Sequence, residues 1–168
     1  AVAIAQDEYP QLDVQIVLAG IDALALRLKA RIPAAAAPVQ RLRWLNRFFF
    51  QDLGFAGNVN NYYDPRNSYL HMVLSTRRGI PITLAVLYIE LATQIGLTAK
   101  GVSFPGHFLI KLRMPEGEVI VDPLGISVKS ATGKFNDNFV RIGGYRNWDK
   151  SLRLQVEDAQ QEQGVQGQ

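Results

Sequence analysis

His107 is the residue best placed to do chemistry in this chain of 168 residues, which has two histidines and no cysteine. It follows Pro105-Gly106, a pair that makes a fixed corner open to close approach, and Asp122 lies downstream on what reads as the next strand. An imidazole whose tautomer is held by a carboxylate is a general base. Thr83 supplies a hydroxyl near the start of a helix, where the helix dipole and backbone N–H groups favour developing negative charge. A threonine hydroxyl is far less acidic than a thiol, so this chemistry requires His107 within about 2.6–3.2 Å of it. A plainer reading stands beside each: Thr83 caps or lines its helix, and His107 bonds a backbone carbonyl at a strand start.

The stretch Gly57 to Asn67 is rich in Asn, Tyr, Asp and Pro and too full of turn formers to be regular structure. Tyr62, Tyr63, Asp64 and Asn67 offer hydrogen-bonding groups there and are candidate ligand contacts. Equally, Asp64-Pro65 makes a turn, Asn67 bonds its own backbone, and a tyrosine hydroxyl ties the loop down. His71 sits in a helical stretch with nothing to pair it and reads as a surface or core histidine. Two histidines without cysteine leave little for a metal, and no cofactor is expected.

The elements that must position these groups are legible from periodicity. Asp13 caps a helix carrying Val14, Val17, Leu18, Ile21, Leu24 and Leu28, stopped by Ile32-Pro33. After the linker Ala34 to Ala37, a second helix places Val39, Leu42, Leu45, Phe49 and Leu53 on one face and ends at Gly54. The run Phe48-Phe49-Phe50 reads as core and core edge. Ser68 is placed to cap a short helix reaching about Arg78, and Gly79-Ile80-Pro81 turns the chain into a helix with Leu84, Leu87, Tyr88, Leu91 and Ile95, ending at Gly96.

Beyond Gly96 the period becomes alternating: Gly101 to Phe104, then Phe108, Ile110, Leu112 and Met114 on one face, then Val119 to Val121, with Pro115-Glu116-Gly117 as a hairpin turn. Helices followed by strands predict an α+β fold, N-terminal helices packed on a small antiparallel sheet. Residues 1–154 read as one domain and 155–168, rich in Gln, as a disordered tail. For His107 to stand directly opposite Asp122, the hairpin must centre between Met114 and Pro115, slightly before the Pro-Glu-Gly signal.

Composition narrows the function classes. Hydrophobic residues are 48% and charged residues 20% of the chain, as in an ordinary globular domain. The net charge of +3 is scattered, with no basic run interleaved by aromatics, so nucleic acid is not the expected partner. No apolar run approaches the roughly 18 residues of a membrane span, and absence of cysteine suits a reducing compartment, so the expected location is cytoplasmic.

Five ordered segments resemble a bacterial branch of the transglutaminase-like superfamily: Gly57-Asn58, Tyr62 to Ser68, Arg78 to Leu84, Gly101 to Phe108, and Val121-Asp122-Pro123. That resemblance, over roughly residues 1 to 125, implies a papain-like core, with a cysteine at the start of a central helix, a histidine on one strand and an aspartate on the next. His107 and Asp122 match the last two. The cysteine column falls on Pro81 or, shifted by two residues, on Thr83, and neither supplies a thiol. Members of the branch often continue into tetratricopeptide-like helices and are linked to regulation. The expectation is therefore a diverged, non-catalytic domain with a regulatory role and a protein or peptide partner. The alternative is a hydrolase or acyl-transfer enzyme acting on an amide or ester through Thr83 or a His107-activated water.

Overall fold

Asp13 opens the first helix as its composition suggests: its Oδ1 accepts the Gln15 amide at 2.9 Å, and α1 runs from Val14 to Arg31. The computed structural model describes residues 13–58, 60–61, 63–104, 107–115, 117–124 and 139–142, with backbone only for Phe104, His107 and the last four. The expected tail at 155–168 and the limits of the domain at either end lie outside the described residues.

α2 (Pro38–Asn46) is shorter than its apolar pattern predicts, because the chain widens into a π-helical turn over Arg47–Asp52. The wider turn accompanies complete burial of both Phe48 and Phe49, successive residues that a regular helix would splay by about 100°. Phe49 stacks on Phe55 with ring centroids 4.6 Å apart and meets Tyr88 edge-on at 5.3 Å. The aromatic run is thus core and core edge.

Ser68 does not cap the next helix. Asp64 instead caps a short 3₁₀ turn, Pro65–Ser68, because Pro65 presets the turn and the Asp64 carboxylate accepts the Arg66 amide at 2.9 Å. α3 follows over Leu70–Thr76 with no side-chain cap and ends where Arg77 adopts a left-handed conformation, φ 61°. The chain then makes a small parallel bridge, β1 (Ala56–Gly57) beside β2 (Arg78–Gly79), which the turn-rich composition of the first segment did not suggest.

α4 (Pro81–Gln94) is the centre of the molecule. Thr83, Leu84, Ala85, Leu87, Tyr88, Leu91 and Ala92 are buried along it, and it touches α1, α2 and α3 as well as the sheet. Gly54 and Gly96, read as helix stops, both have positive φ (70° and 85°), the conformation that lets the chain leave a helix sharply. Arg41 links the two helices, its Nη1 donating to the Ile95 carbonyl at 3.1 Å and its Nε to Ala36 at 3.1 Å.

The sheet is antiparallel in the order β3 (Thr98–Phe104), β4 (His107–Met114), β5 (Gly117–Val121), β6 (Phe139–Ile142). β3 starts earlier than the alternation indicated, and β6 falls in a stretch with little periodic signal. Ile110, Leu112, Met114, Val119 and Val121 join the helices in one hydrophobic core. The opposite set in β4 and β5 includes Leu109, Lys111, Glu118 and Ile120, all buried, with Lys111 Nζ 3.0 Å from Glu118 Oε1. The architecture is α+β, as the pattern of elements predicts.

A buried polar contact joins α2 to α4. The Tyr88 hydroxyl donates to Asn46 Oδ1 at 2.5 Å with both residues buried, and burial pushes the phenol well above its usual pKa. Among the described residues Asn46 Nδ2 has no hydrogen-bond partner, so Tyr88→Phe would leave the carboxamide without a described bond. That variant is expected to lose about 1–3 kcal/mol of stability in urea unfolding, the usual cost of orphaning a buried polar group.

Candidate functional site

The β1–β2 bridge sets Gly57-Asn58 beside Arg78-Gly79, immediately before α4. Asn67 ties these segments together. Its amide donates to the Asp64 carbonyl at 3.0 Å, its Nδ2 to the Asn61 carbonyl at 3.0 Å, and its Oδ1 accepts from Asn58 Nδ2 at 3.0 Å. Its own carbonyl accepts from Thr83 Oγ1 at 2.8 Å and from the Ile80 amide at 3.4 Å. Only 3% of Asn67 is exposed, so this residue, a candidate ligand contact by sequence, has each of its polar groups engaged within the protein.

Thr83 lies at the start of α4, buried, with Pro81 at the first helical position. Its hydroxyl donates to Asn67, lies 3.1 Å from the Ile80 carbonyl, and accepts from the Ile80 amide at 3.1 Å. The last bond satisfies a backbone donor that a helix start leaves open. Gly79 makes room for this arrangement, since a Cβ there would stand 2.8 Å from Thr83 Oγ1 and 3.1 Å from Val73 Cγ2. The hydroxyl therefore faces backbone groups with both its proton and a lone pair, the geometry of a cap.

Around this knot the loop is held by charge. The Asp64 carboxylate accepts from the Arg66 side chain, Nη2 at 2.5 Å and Nε at 2.9 Å, and from Asn61 Nδ2 at 3.2 Å. The side-chain hydrogen bonds of Arg66, with its backbone N–H, hold the Asp64 carboxyl below its usual range. Tyr63 stands 92% exposed at the tip of the loop, and Tyr62 lies outside the described residues. His71 is half-buried on α3 beside the Tyr69 ring, and burial lowers its imidazole pKa.

Asp122 follows β5 and turns the chain, its Oδ1 accepting the Leu124 amide at 2.9 Å. Leu124 reaches Gly57 so closely that a Cβ there would be 3.0 Å from its Cδ2. The Asp122 turn, the Asn58–Asn67 loop and the start of α4 thus gather at one end of the sheet. The hairpin register differs from the one that direct opposition requires. Met114 pairs with Gly117 and Ile110 with Val121, so the turn centres between Pro115 and Glu116 and the position facing Asp122 is that of Leu109, two residues after His107. Pro115 sets this, because its ring-fixed φ suits a turn residue and removes a ladder donor. His107 and Asp122 are diagonal in register, not opposed; the His107 side chain, and so its distance to Thr83, lies outside the described residues.

Sequence reasoning missed Asn58 as a partner of Asn67 and the buried Lys111–Glu118 pair. The second had a signal: strict alternation in β4 puts Lys111 opposite in facing to Ile110 and Leu112, so a covered second face required it a partner. Among the described residues no group of three or more His, Asp or Glu side chains gathers to hold a metal.

The family described as the transglutaminase-like superfamily matches residues 15–133. The chain belongs to that superfamily. It is similar to a UPF0162 protein of Xylella fastidiosa, 42% identical over 123 residues that cover 73% of this chain and 44% of the relative. A UPF0162 protein of Pseudomonas aeruginosa is 32% identical over the same shares of each chain. The human F-box only protein 21 is 42% identical over 72 residues, 43% of this chain and 12% of the relative. The chain spans less than half the length of the bacterial relatives it matches here. No solved structure matches it significantly.

Two outcomes follow for this transglutaminase-like domain. Thr83→Val, which keeps the shape and removes the hydroxyl, is expected to cost about 1–3 kcal/mol in chemical unfolding, while Thr83→Ser keeps most of that stability. Asp64 has a lowered folded pKa, so its contribution is present above the usual carboxylate range and lost as pH falls through the depressed value. The stability gap between wild type and Asp64→Asn should accordingly narrow on acidification, read from unfolding midpoints across pH.

Proposed function

We propose that this chain is a diverged, non-catalytic transglutaminase-like domain that serves a regulatory role by binding a protein or peptide. The observation that carries this reading is the state of the helix start where the superfamily resemblance calls for a thiol. The chain has no cysteine, and the hydroxyl that stands nearest in sequence to that column, Thr83, is a backbone cap. A nucleophile must present a lone pair to its substrate and hand its proton to a base. Thr83 gives its proton to the Asn67 carbonyl and a lone pair to the Ile80 amide, which argues against a hydrolase or acyl-transfer reading built on it. The Asn67-centred loop, whose polar groups engage one another, supports a scaffold role for these motifs.

A cytoplasmic setting belongs to the same proposal. It rests on the missing cysteines, and no helix among the described residues is long and apolar enough to cross a membrane.

The test is catalytic. The purified chain is assayed for hydrolysis of p-nitrophenyl acetate and for amine incorporation into a glutamine-containing peptide, beside His107→Ala. The expected outcome is a rate equal to that of the variant. Turnover that His107→Ala abolishes would overturn the proposal and return His107 to a general-base role.

A further inference from the structure

α1 carries two apolar stripes, and only one of them is buried. Ile21, Leu24 and Leu28 point into the core, whereas Ile16, Ala19, Ala23, Leu26 and Ala30 are exposed, Ile16 to 70% and Leu26 to 67%. The spacing of the exposed set alternates three and four residues, the a and d positions of a heptad, so these side chains form one seam along the outside of the helix. Charged residues stand at the edges of the seam: Asp22, directly before an a position, on one side, and Arg27, directly after a d position, on the other. Gly20 lies beside the same seam. A glycine inside a helix costs about 1 kcal/mol relative to alanine, yet a Cβ at Gly20 would meet nothing within 4 Å among the described residues. Packing within the chain gives no reason for it, and a second helix lying close along the seam does.

We infer that α1 is a dimerisation helix: two copies of this chain meet along their Ile16–Ala30 seams as a short parallel coiled coil. The seam itself selects a second copy in that orientation. In a parallel pair each a or d residue meets its own counterpart, and a β-branched residue at a, here Ile16, with leucine at d, here Leu26, is the combination that favours two strands. The edges agree. In a parallel pair the residue before an a position faces the residue five positions later on the other helix, which brings Asp22 of each copy to Arg27 of the other. Turning one helix round would instead set the two Asp22 carboxylates on the same edge. Asp22 is held in place by Gln94, whose Nε2 donates to Oδ1 at 2.9 Å. Arg27 is suited to receive a carboxylate, because Arg77 is kept below its usual pKa by burial and by the Arg27 charge, and an added negative charge eases that repulsion. The seam is about 21 Å long at 1.5 Å per residue, so the interface is small and the dimer reversible. The inference is independent of the non-catalytic reading, since neither Thr83 nor His107 takes part.

The test measures the mass of the chain by sedimentation equilibrium from about 5 to about 500 μM. The expected result is a monomer–dimer equilibrium in that range, its dissociation constant raised about tenfold or more by Leu26→Lys and by Ala23→Lys. Both positions are exposed and lysine is a good helix former, so the unfolding midpoint of each variant should stay near that of the wild type in dilute solution. Orientation is read through thiols. The chain has no cysteine, so Ala23→Cys and Ala30→Cys each supply a unique one. In the parallel pair both positions face their counterparts at a separation a disulfide spans, and both should cross-link on mild oxidation, whereas Thr98→Cys, exposed on β3, should not. A monomer at every concentration would overturn the inference and leave the seam to a different partner. A dimer that both lysine variants leave unchanged would place the interface elsewhere and equally overturn it. Cross-linking at Ala23 without cross-linking at Ala30 would refute the parallel arrangement in favour of an antiparallel one.

Discussion

The bond from the Thr83 hydroxyl to the Asn67 carbonyl, 2.8 Å long, is the constraint on which the rest of the described structure turns. α4 is the helix against which the other three described helices and the sheet all pack, and Thr83 in its first turn is buried with them while Ile82 faces outward. A helix start leaves backbone donors without an intrahelical partner, and an internal acceptor can satisfy them. Thr83 supplies it for Ile80 and passes the demand on to Asn67, whose own groups then reach Asn58, Asn61 and Asp64. Breaking that chain would loosen the loop and the entry to the central helix together.

The same economy explains why motifs scattered in sequence belong together. Gly79 lacks a Cβ because Thr83 and Val73 occupy the place one would take, and Gly57 lies against Leu124 just after the Asp122 turn. This end of the molecule holds the segments that carry the resemblance to the transglutaminase-like superfamily. Here it is filled by hydrogen bonds among backbone and amide groups. Donors and acceptors that satisfy one another make this a structural junction among the described residues.

Much of the fold was legible because its signals are local. Asp13 as a cap, the stripe Val17 to Leu28, the stops at Gly54 and Gly96 and the alternation of Phe108 to Met114 all depend on residues within a turn or two of each other. Ser68 shows how a local signal fails: it has the right side chain for a cap, but Asp64 with Pro65 starts a competing turn four residues earlier and takes the backbone with it. The π turn at Arg47 was invisible for another reason. Nothing in the spacing of Leu42, Leu45 and Phe49 departs from a regular helix, and the widening goes with burying Phe48 and Phe49 together against partners as distant as Tyr88.

Taken alone, the amino-acid sequence determined the longer helices and the β4–β5 hairpin, the α+β order, the absence of a thiol and the short set of residues around which a site had to be sought, because each depends on side-chain identity or on periods of two and about four residues. What Thr83, Asn67 and Asp64 do was decided only in three dimensions, since a hydroxyl or an amide is indifferent between capping and contacting a ligand until its neighbours are placed. The register of β4 on β5, which sets His107 diagonal to Asp122, likewise came from the closed Met114–Gly117 turn, where a shift of a single residue would exchange the faces of the strand.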